Sequence, residues 1–279
     1  MEKRKKARKE SKGYKEPNGV KIEGIKKPTI VVGLPGIGNV GKIVTDYVIE
    51  QLKAKEIGKF YIDTPPMVFP TYESVEFPSV KVYSAEQKGL NFIFIAGDYQ
   101  PREAKCFEFC SSLLEIFKKT SGKEIIILGG ASLPKINVSP SIYAIASNAG
   151  IIQKYKKLEP EIKLAHGNLG PIVGVAGVLL GMAKDAGVNA VAFLTETTER
   201  EYFNANSVKK ALLLLNKLTG IDVDTKKFDA RMKKINAEIT ALRTFITAEP
   251  EERGLEGVDF TFGEHEGKRE GDEKVGYIG

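Results

Sequence analysis

The chain has two cysteines, two histidines and no tryptophan in 279 residues, and each scarcity closes off a class of chemistry. Cys106 and Cys110 stand four apart in a segment that reads as helix, a spacing poorly placed for a bridge along one turn. Two thiols and no disulfide framework fit a reducing, cytoplasmic compartment. With only His166 and His265 besides, no Cys/His set of structural zinc spacing exists, and no metal site is expected. A lone histidine is also a poor start for nucleophilic catalysis. His166, in Leu164-Ala165-His166-Gly167, reads as a strand-end residue rather than a base. No apolar run approaches the roughly 20 residues of a bilayer crossing: the longest, about Ile172 to Ala183, is broken by Gly174, Gly177 and Gly181. The N-terminal residues are charged throughout with no apolar stretch among them, so neither a secretory signal nor a membrane partner is expected.

What is present is an ordinary globular composition, 42% hydrophobic and 28% charged, which excludes wholesale disorder. The net charge of +6 hides an uneven distribution. Residues 1–27 hold eleven Lys or Arg against four Asp or Glu, a net of +7, whereas residues 249–279 hold four against ten, a net of −6. This split predicts a basic flexible arm over 1–27, a single α/β domain over 28–247 with a helical appendage at about 207–247, and an acidic flexible tail over 248–279. The arm, with Lys3-Arg4-Lys5-Lys6, Arg8, Lys9 and Lys12, could attract phosphates by counterion release alone. It has no aromatic platform beyond Tyr14 and no nucleic-acid motif follows it, so a solvated arm is the favoured reading and a nucleic-acid partner is not expected.

The body alternates strand and helix patterns. Thr29–Val32 is a β-branched run, and Val40, Ile43, Val44, Tyr47, Val48 and Leu52 then recur at helical intervals. Phe60–Ile62 reads as the next strand, with extended pieces near 67–72 and 80–83. Asn91–Ala96 is almost wholly apolar, as a central strand covered on both faces should be. A helix over about 102–119 follows, then Ile125–Leu128 ending in Gly129-Gly130, a strand at Ile142–Ala146, helices near 151–157 and 173–186, and a strand at Ala190–Leu194. The order predicts a mainly parallel or mixed sheet flanked by helices. Two helices close the body, about 207–218 and 225–247. In the second, Phe228, Met232, Ile235, Ile239, Leu242 and Ile246 form a heptad seam among charged residues. It is expected to lie on the preceding helix, through Val208, Ala211, Leu212 and Leu215, or on a neighbouring chain.

Gly36-Ile-Gly38-Asn-Val-Gly41 matches the dinucleotide fingerprint after a strand and before a helix, with Asp63 further on. Such glycines let backbone N–H groups approach an anion closely. The same letters with Lys42 fit most of a P-loop, but Ile43 stands where a hydroxyl must hold Mg²⁺. One alternative is therefore a nucleotide-binding enzyme using Gly36, Gly38, Gly41 and Lys42, with Asp63 or Asp98. The other is a turn built for packing a helix on a sheet.

Five strings in order carry a more specific signal: Val32-Gly-Leu-Pro-Gly-Ile-Gly-Asn-Val-Gly-Lys42, Asp63-Thr-Pro-Pro66, Gly97-Asp-Tyr-Gln-Pro101, Leu128-Gly-Gly130 and Gly170-Pro-Ile-Val-Gly174. Together they resemble the archaeal branch of the proteasome assembly chaperone family over roughly 28–247. The resemblance implies a phosphorylase-like α/β sandwich, no catalysis, no cofactor, an architectural glycine loop, and a homo-oligomer that binds proteins such as proteasome subunits or a related assembly factor. It also draws attention to the C-terminus, because some relatives dock on the proteasome α ring through a terminal hydrophobic-Tyr-any residue ending. Here the chain ends Val275-Gly276-Tyr277-Ile278-Gly279, so the pattern is displaced by one and its hydrophobic position is Gly. The expected protein-contact residues are Phe228, Met232, Ile235, Ile239, Leu242, Tyr277 and Ile278.

Overall fold

The computed structural model describes residues 19–61, 65–71, 73–133, 137–198 and 202–247, and the side chains of 238, 239 and 241–247 lie outside that description. The chain divides into two compact units, residues 1–232 and 233–279. The described part of the second is the helical stretch 233–247.

In the first unit, β1 (Thr29–Gly33) passes through a 3-10 turn (Ile37–Asn39) into α1 (Val40–Gln51). Then come β2 (Lys55–Phe60), β3 (Phe69–Pro70), β4 (Val75–Glu76), β5 (Val80–Gln87), β6 (Leu90–Gly97) and α2 (Glu103–Lys119). They are followed by β7 (Glu124–Ser132), β8 (Ile142–Ala146), α3 (Ala149–Leu158), β9 (Lys163–Leu164), α4 (Gly174–Asp185), β10 (Ala190–Thr197), α5 (Ala205–Thr219) and the start of α6 (Thr225–Thr247), which continues past residue 232 into the second unit. Eight strands form one sheet in the order β2-β5-β6-β1-β7-β10-β8-β9. The centre, β6-β1-β7-β10, is parallel. Antiparallel pairs join β2 to β5, β5 to β6 and β8 to β10.

Covering both faces explains the uniformly apolar central strands. Every residue of β1 and of β10 is buried. Ile30, Val32, Ile93, Ile95, Ile125 and Ile127 share a core with Phe109, Cys110 and Leu113 of α2 and with Val175, Leu179 and Ala183 of α4. The alternate residues point to the other face, where α1 packs on β1, β6 and β7, α5 on α1 and β10, and α3 on β8. The result is a three-layer α/β sandwich, as the sequence pattern predicts. Caps mark the ends: Asn148 and Asn204 accept from Ile151 N and Ser207 N, each at 3.1 Å, and Gly220 ends α5 at φ 78°.

Several boundaries differ from expectation. The strand after α1 runs over 55–60, ahead of the expected 60–62. Strand β7 does not stop at Gly129-Gly130 but continues to Ser132, because β10 pairs with it throughout, Leu194 with Gly129 and Thr195 with Gly130. At the N-terminus, Val20, Ile22 and Ile25 pack against the core, so residues 20–25 join the folded body rather than the basic arm. Lys21 N donates to Ile57 O at 2.7 Å, which occupies part of the outer side of β2. At the other end the sheet stops at β9, two residues long. Finally, the first turns of α6 sit on α1. The Phe228 and Tyr47 rings meet edge to face at 4.9 Å, the Tyr47 hydroxyl donates to the Asp224 carbonyl, and Arg231 pairs with Glu50. Lys209 of α5 pairs with Asp229 at 2.6 Å.

Candidate functional site

In open α/β sheets, ligands gather at the carboxyl ends of the parallel strands. Here that edge holds a cleft of about 550 Å³. Its walls are Val32 and Leu34 at the end of β1, Gly36 and Ile37 of the glycine turn, residues 127–132 of β7, Leu194 of β10, and residues 169–176 leading into α4. Gln100 spans the opening: its amide nitrogen donates to Pro35 O and its amide oxygen accepts from Val175 N at 3.2 Å. Both groups of that side chain are therefore engaged in holding the turn to the start of α4. Among the described residues the lining contains no Asp, Glu, His, Lys, Arg or Cys; its polar side chains are Gln100 and Ser132.

The glycine turn is seated on the sheet. A Cβ at Gly41 would come within 2.1 Å of Leu128 O, and one at Gly38 within 2.5 Å of the Thr197 hydroxyl. Gly38 also has φ +58°, a conformation side chains disfavour. The Ile37 carbonyl oxygen in turn occupies the space above Gly130, 2.1 Å from where its Cβ would stand. Gly36 is exposed beside Gln100. Lys42 directs its ammonium to Asp46 at 3.0 Å and to Gly97 O at 3.1 Å, which ties α1 to the end of β6.

The remaining candidates are dispersed. Asp98 accepts from Ser79 N at 3.1 Å; Asp63 lies outside the described residues. His166 is exposed, two residues beyond β9. Cys106 and Cys110 are buried as free thiols on α2, and burial pushes both up from the ordinary thiol range. No group of three or more His, Cys, Asp or Glu among the described residues could hold a metal ion, and no helix among them is long and apolar enough to cross a membrane. Phe228 and Met232 are buried. Ile235 is half-buried. The side chains of Ile239 and Leu242, and all of Tyr277 and Ile278, lie outside the described residues.

Sequence reasoning missed Glu196. It is fully buried on β10 and accepts from Asn137 N at 2.8 Å, Asn137 Nδ2 at 3.0 Å and Ser141 N at 3.0 Å. Flanked by Thr195 and Thr197 just past the apolar run Ala190–Leu194, it carries no distinctive sequence signal, although once buried its carboxylate needs donors.

A three-layer sandwich with a seated glycine turn and an uncharged cleft defines a class, and comparison with known proteins places the chain within it. The chain belongs to the PAC2 family, whose model matches residues 30–243. It is similar to PbaB of Pyrococcus furiosus, described as an archaeal proteasome activator: 27% identity, TM-score 0.72, covering 81% of this chain and 97% of that one. It shares its fold with PbaA of the same organism, an archaeal homolog of proteasome-assembly chaperone, at 20% identity and TM-score 0.68, covering 86% and 97%. The uncharacterized protein MJ1210 of Methanocaldococcus jannaschii is 22% identical over 226 residues, 80% of this chain and 86% of that protein.

Proposed function

We propose that this protein is a noncatalytic, chaperone-like scaffold of the cytoplasm that forms a homo-oligomer and binds other proteins, proteasome subunits or a related assembly factor. The observation that carries the reading is the lining of the cleft. Where an α/β fold would hold its chemistry, the described residues offer apolar side chains, backbone, an already engaged glutamine and the Ser132 hydroxyl, with no titratable side chain beside it in the lining to activate it. General acid–base or nucleophilic catalysis requires a titratable or nucleophilic group within reach. Likeness to an archaeal proteasome activator along nearly all of that chain's length supports the choice of partner. Partner contacts fall to the later seam residues Ile235, Ile239 and Leu242 and to Tyr277 and Ile278.

Native mass spectrometry of the complex from its source cells tests this, returning stoichiometry and partner identity together. The expected result is several copies of the chain with a proteasome-related protein; a monomer that retains no protein overturns the reading. The alternative, nucleotide binding through Gly36, Gly38, Gly41 and Lys42, is favoured by the strand-turn-helix placement of the loop. A thermal-shift series with NAD, ATP and GTP separates the two, because a ligand of the native state raises the melting temperature. No shift at millimolar ligand is expected.

A further inference from the structure

Two apolar surfaces, one edged by acidic residues and the other by an excess of lysine over glutamate, lie toward opposite ends of the sheet. The first is the β3–β4 hairpin, which joins no strand of the main sheet. Met67, Val68, Phe69 and Val75 are exposed on it by 51%, 43%, 42% and 58%, and an isolated two-stranded hairpin is marginal in water. Residues 65–78 carry Glu73 and Glu76 and no Lys or Arg. The second surface is a groove of about 550 Å³ between β8, β9 and α5. Its floor is apolar, with Leu213 45% exposed, and its rim carries Lys163, Lys210 and Lys217 together with Glu159 and Glu161. The charged side chains of the lining are thus three lysines against two glutamates.

Placement separates the two within one chain. Strands β5 and β8 are five steps apart in the sheet order, roughly 24 Å at the usual strand spacing. Yet both surfaces sit at the same edge, since Val80 pairs with Gly97 and Ile142 with Thr195, at the carboxyl ends of β6 and β10. Two rim lysines are already paired, Lys210 with the exposed Glu161 at 3.3 Å and Lys217 with the half-buried Glu159 at 2.8 Å. The exposed Lys210–Glu161 pair contributes little, so exchanging it for an incoming carboxylate costs little.

We propose that the β3–β4 hairpin of one copy seats in the Lys163–Lys210–Lys217 groove of a second copy of this chain. The inference rests on the homo-oligomer of the proposed function and names the surfaces that build it. Val75 and its neighbours cover the exposed Leu213, while Glu73 and Glu76 meet the lysine rim. The contact is heterologous: every copy offers one hairpin and one groove. Charge steers it, so added salt weakens it.

Two variants of the full chain test this by size-exclusion chromatography with light scattering. One, Val75→Glu with Phe69→Glu, disables the hairpin; the other, Leu213→Glu with Lys163→Glu, disables the groove. All four positions are exposed, so the melting temperature serves as the folding control. Each variant alone is expected to be monomeric, with self-association weakened roughly tenfold or more. An equimolar mixture is expected to form a one-to-one heterodimer, because one intact hairpin and one intact groove remain. If Val75→Glu unfolds the chain, Glu76→Lys replaces it, and Lys163→Glu on the second copy is expected to restore its binding. A mixture that stays monomeric, or variants that keep the wild-type stoichiometry, overturn the hairpin–groove contact while leaving the oligomer standing. A monomeric wild type overturns both.

Discussion

Glu196 accepts hydrogen bonds from both the backbone N–H and the side-chain amide of Asn137, at 2.8 and 3.0 Å. One carboxylate on β10 thereby fixes the segment that leads into β8 and, through Ser141 N at 3.0 Å, the Ser139–Ile142 wall of the lysine-rimmed groove.

Replacing Glu196 by Ala should cost about 2 to 3 kcal/mol by denaturant unfolding, since several hydrogen bonds to a buried, charged acceptor are lost together. Burial raises this carboxyl, but the Ser141 and Asn137 donors outweigh it and hold it below the usual carboxylate range. The folded value lies below the unfolded one, so the unfolded state binds more protons in acid and stability rises with pH there. The contribution is full above the ordinary carboxylate pKa and is lost as pH falls through the depressed folded value. Wild type should therefore lose more stability than Glu196→Gln between neutral pH and pH about 3, and parallel curves would refute the assignment.

Gly41→Ala and Gly181→Ala should differ in sign. A methyl at Gly41 meets the Leu128 carbonyl at 2.1 Å, backbone that cannot step aside, whereas one at Gly181 in α4 meets nothing within 4 Å. The first is expected to destabilise by about 2 kcal/mol or more, the second to stabilise by about 0.5 to 1 kcal/mol. Urea midpoints of the two variants check both.

Phe228→Ala removes a fully buried ring from Tyr47 and should cost about 3 to 5 kcal/mol. Tyr47→Phe loses the hydroxyl bond to the Asp224 carbonyl and should cost about 1 kcal/mol. If instead Phe228→Ala changes only the oligomeric state and not the melting temperature, its packing on α1 is wrong.

Cys106 and Cys110 are 4% and 0% exposed and their thiols are raised by burial, which disfavours the reactive thiolate. A chromogenic disulfide reagent at pH about 8, near the ordinary thiol pKa, should find no rapidly reacting thiol in the native chain and two in denaturant. A fast native phase would contradict the burial.

The central strands and α1 were legible because their demands are local. A strand buried on both faces must be apolar throughout, and Val40, Val44 and Val48 keep helical spacing beneath it. Strand β2 was displaced because Lys55-Glu56 reads as loop, although antiparallel pairing with Tyr83 and Ser84 extends it. Gly129-Gly130 reads as a turn, yet a long register with β10 overrides that preference. The seam of α6 was visible as a pattern, but nothing in its spacing selects Tyr47 of α1 over the facing side of α5. The cleft was hidden for a different reason. Gln100 unites Pro35 and Val175, partners 65 and 75 positions away, and the polar wall is mostly main chain, which side-chain letters do not report.

Val20 lies against Gly58 so closely that a Cβ there would come within 2.7 Å of its Cα, while β9 offers only two residues at the opposite margin. A sheet guarded at one flank and curtailed at the other gives an incoming strand little ladder to extend. Runaway fibril growth by backbone pairing is thereby restrained, even though the interior strands are among the most amyloid-like stretches of the polypeptide in composition.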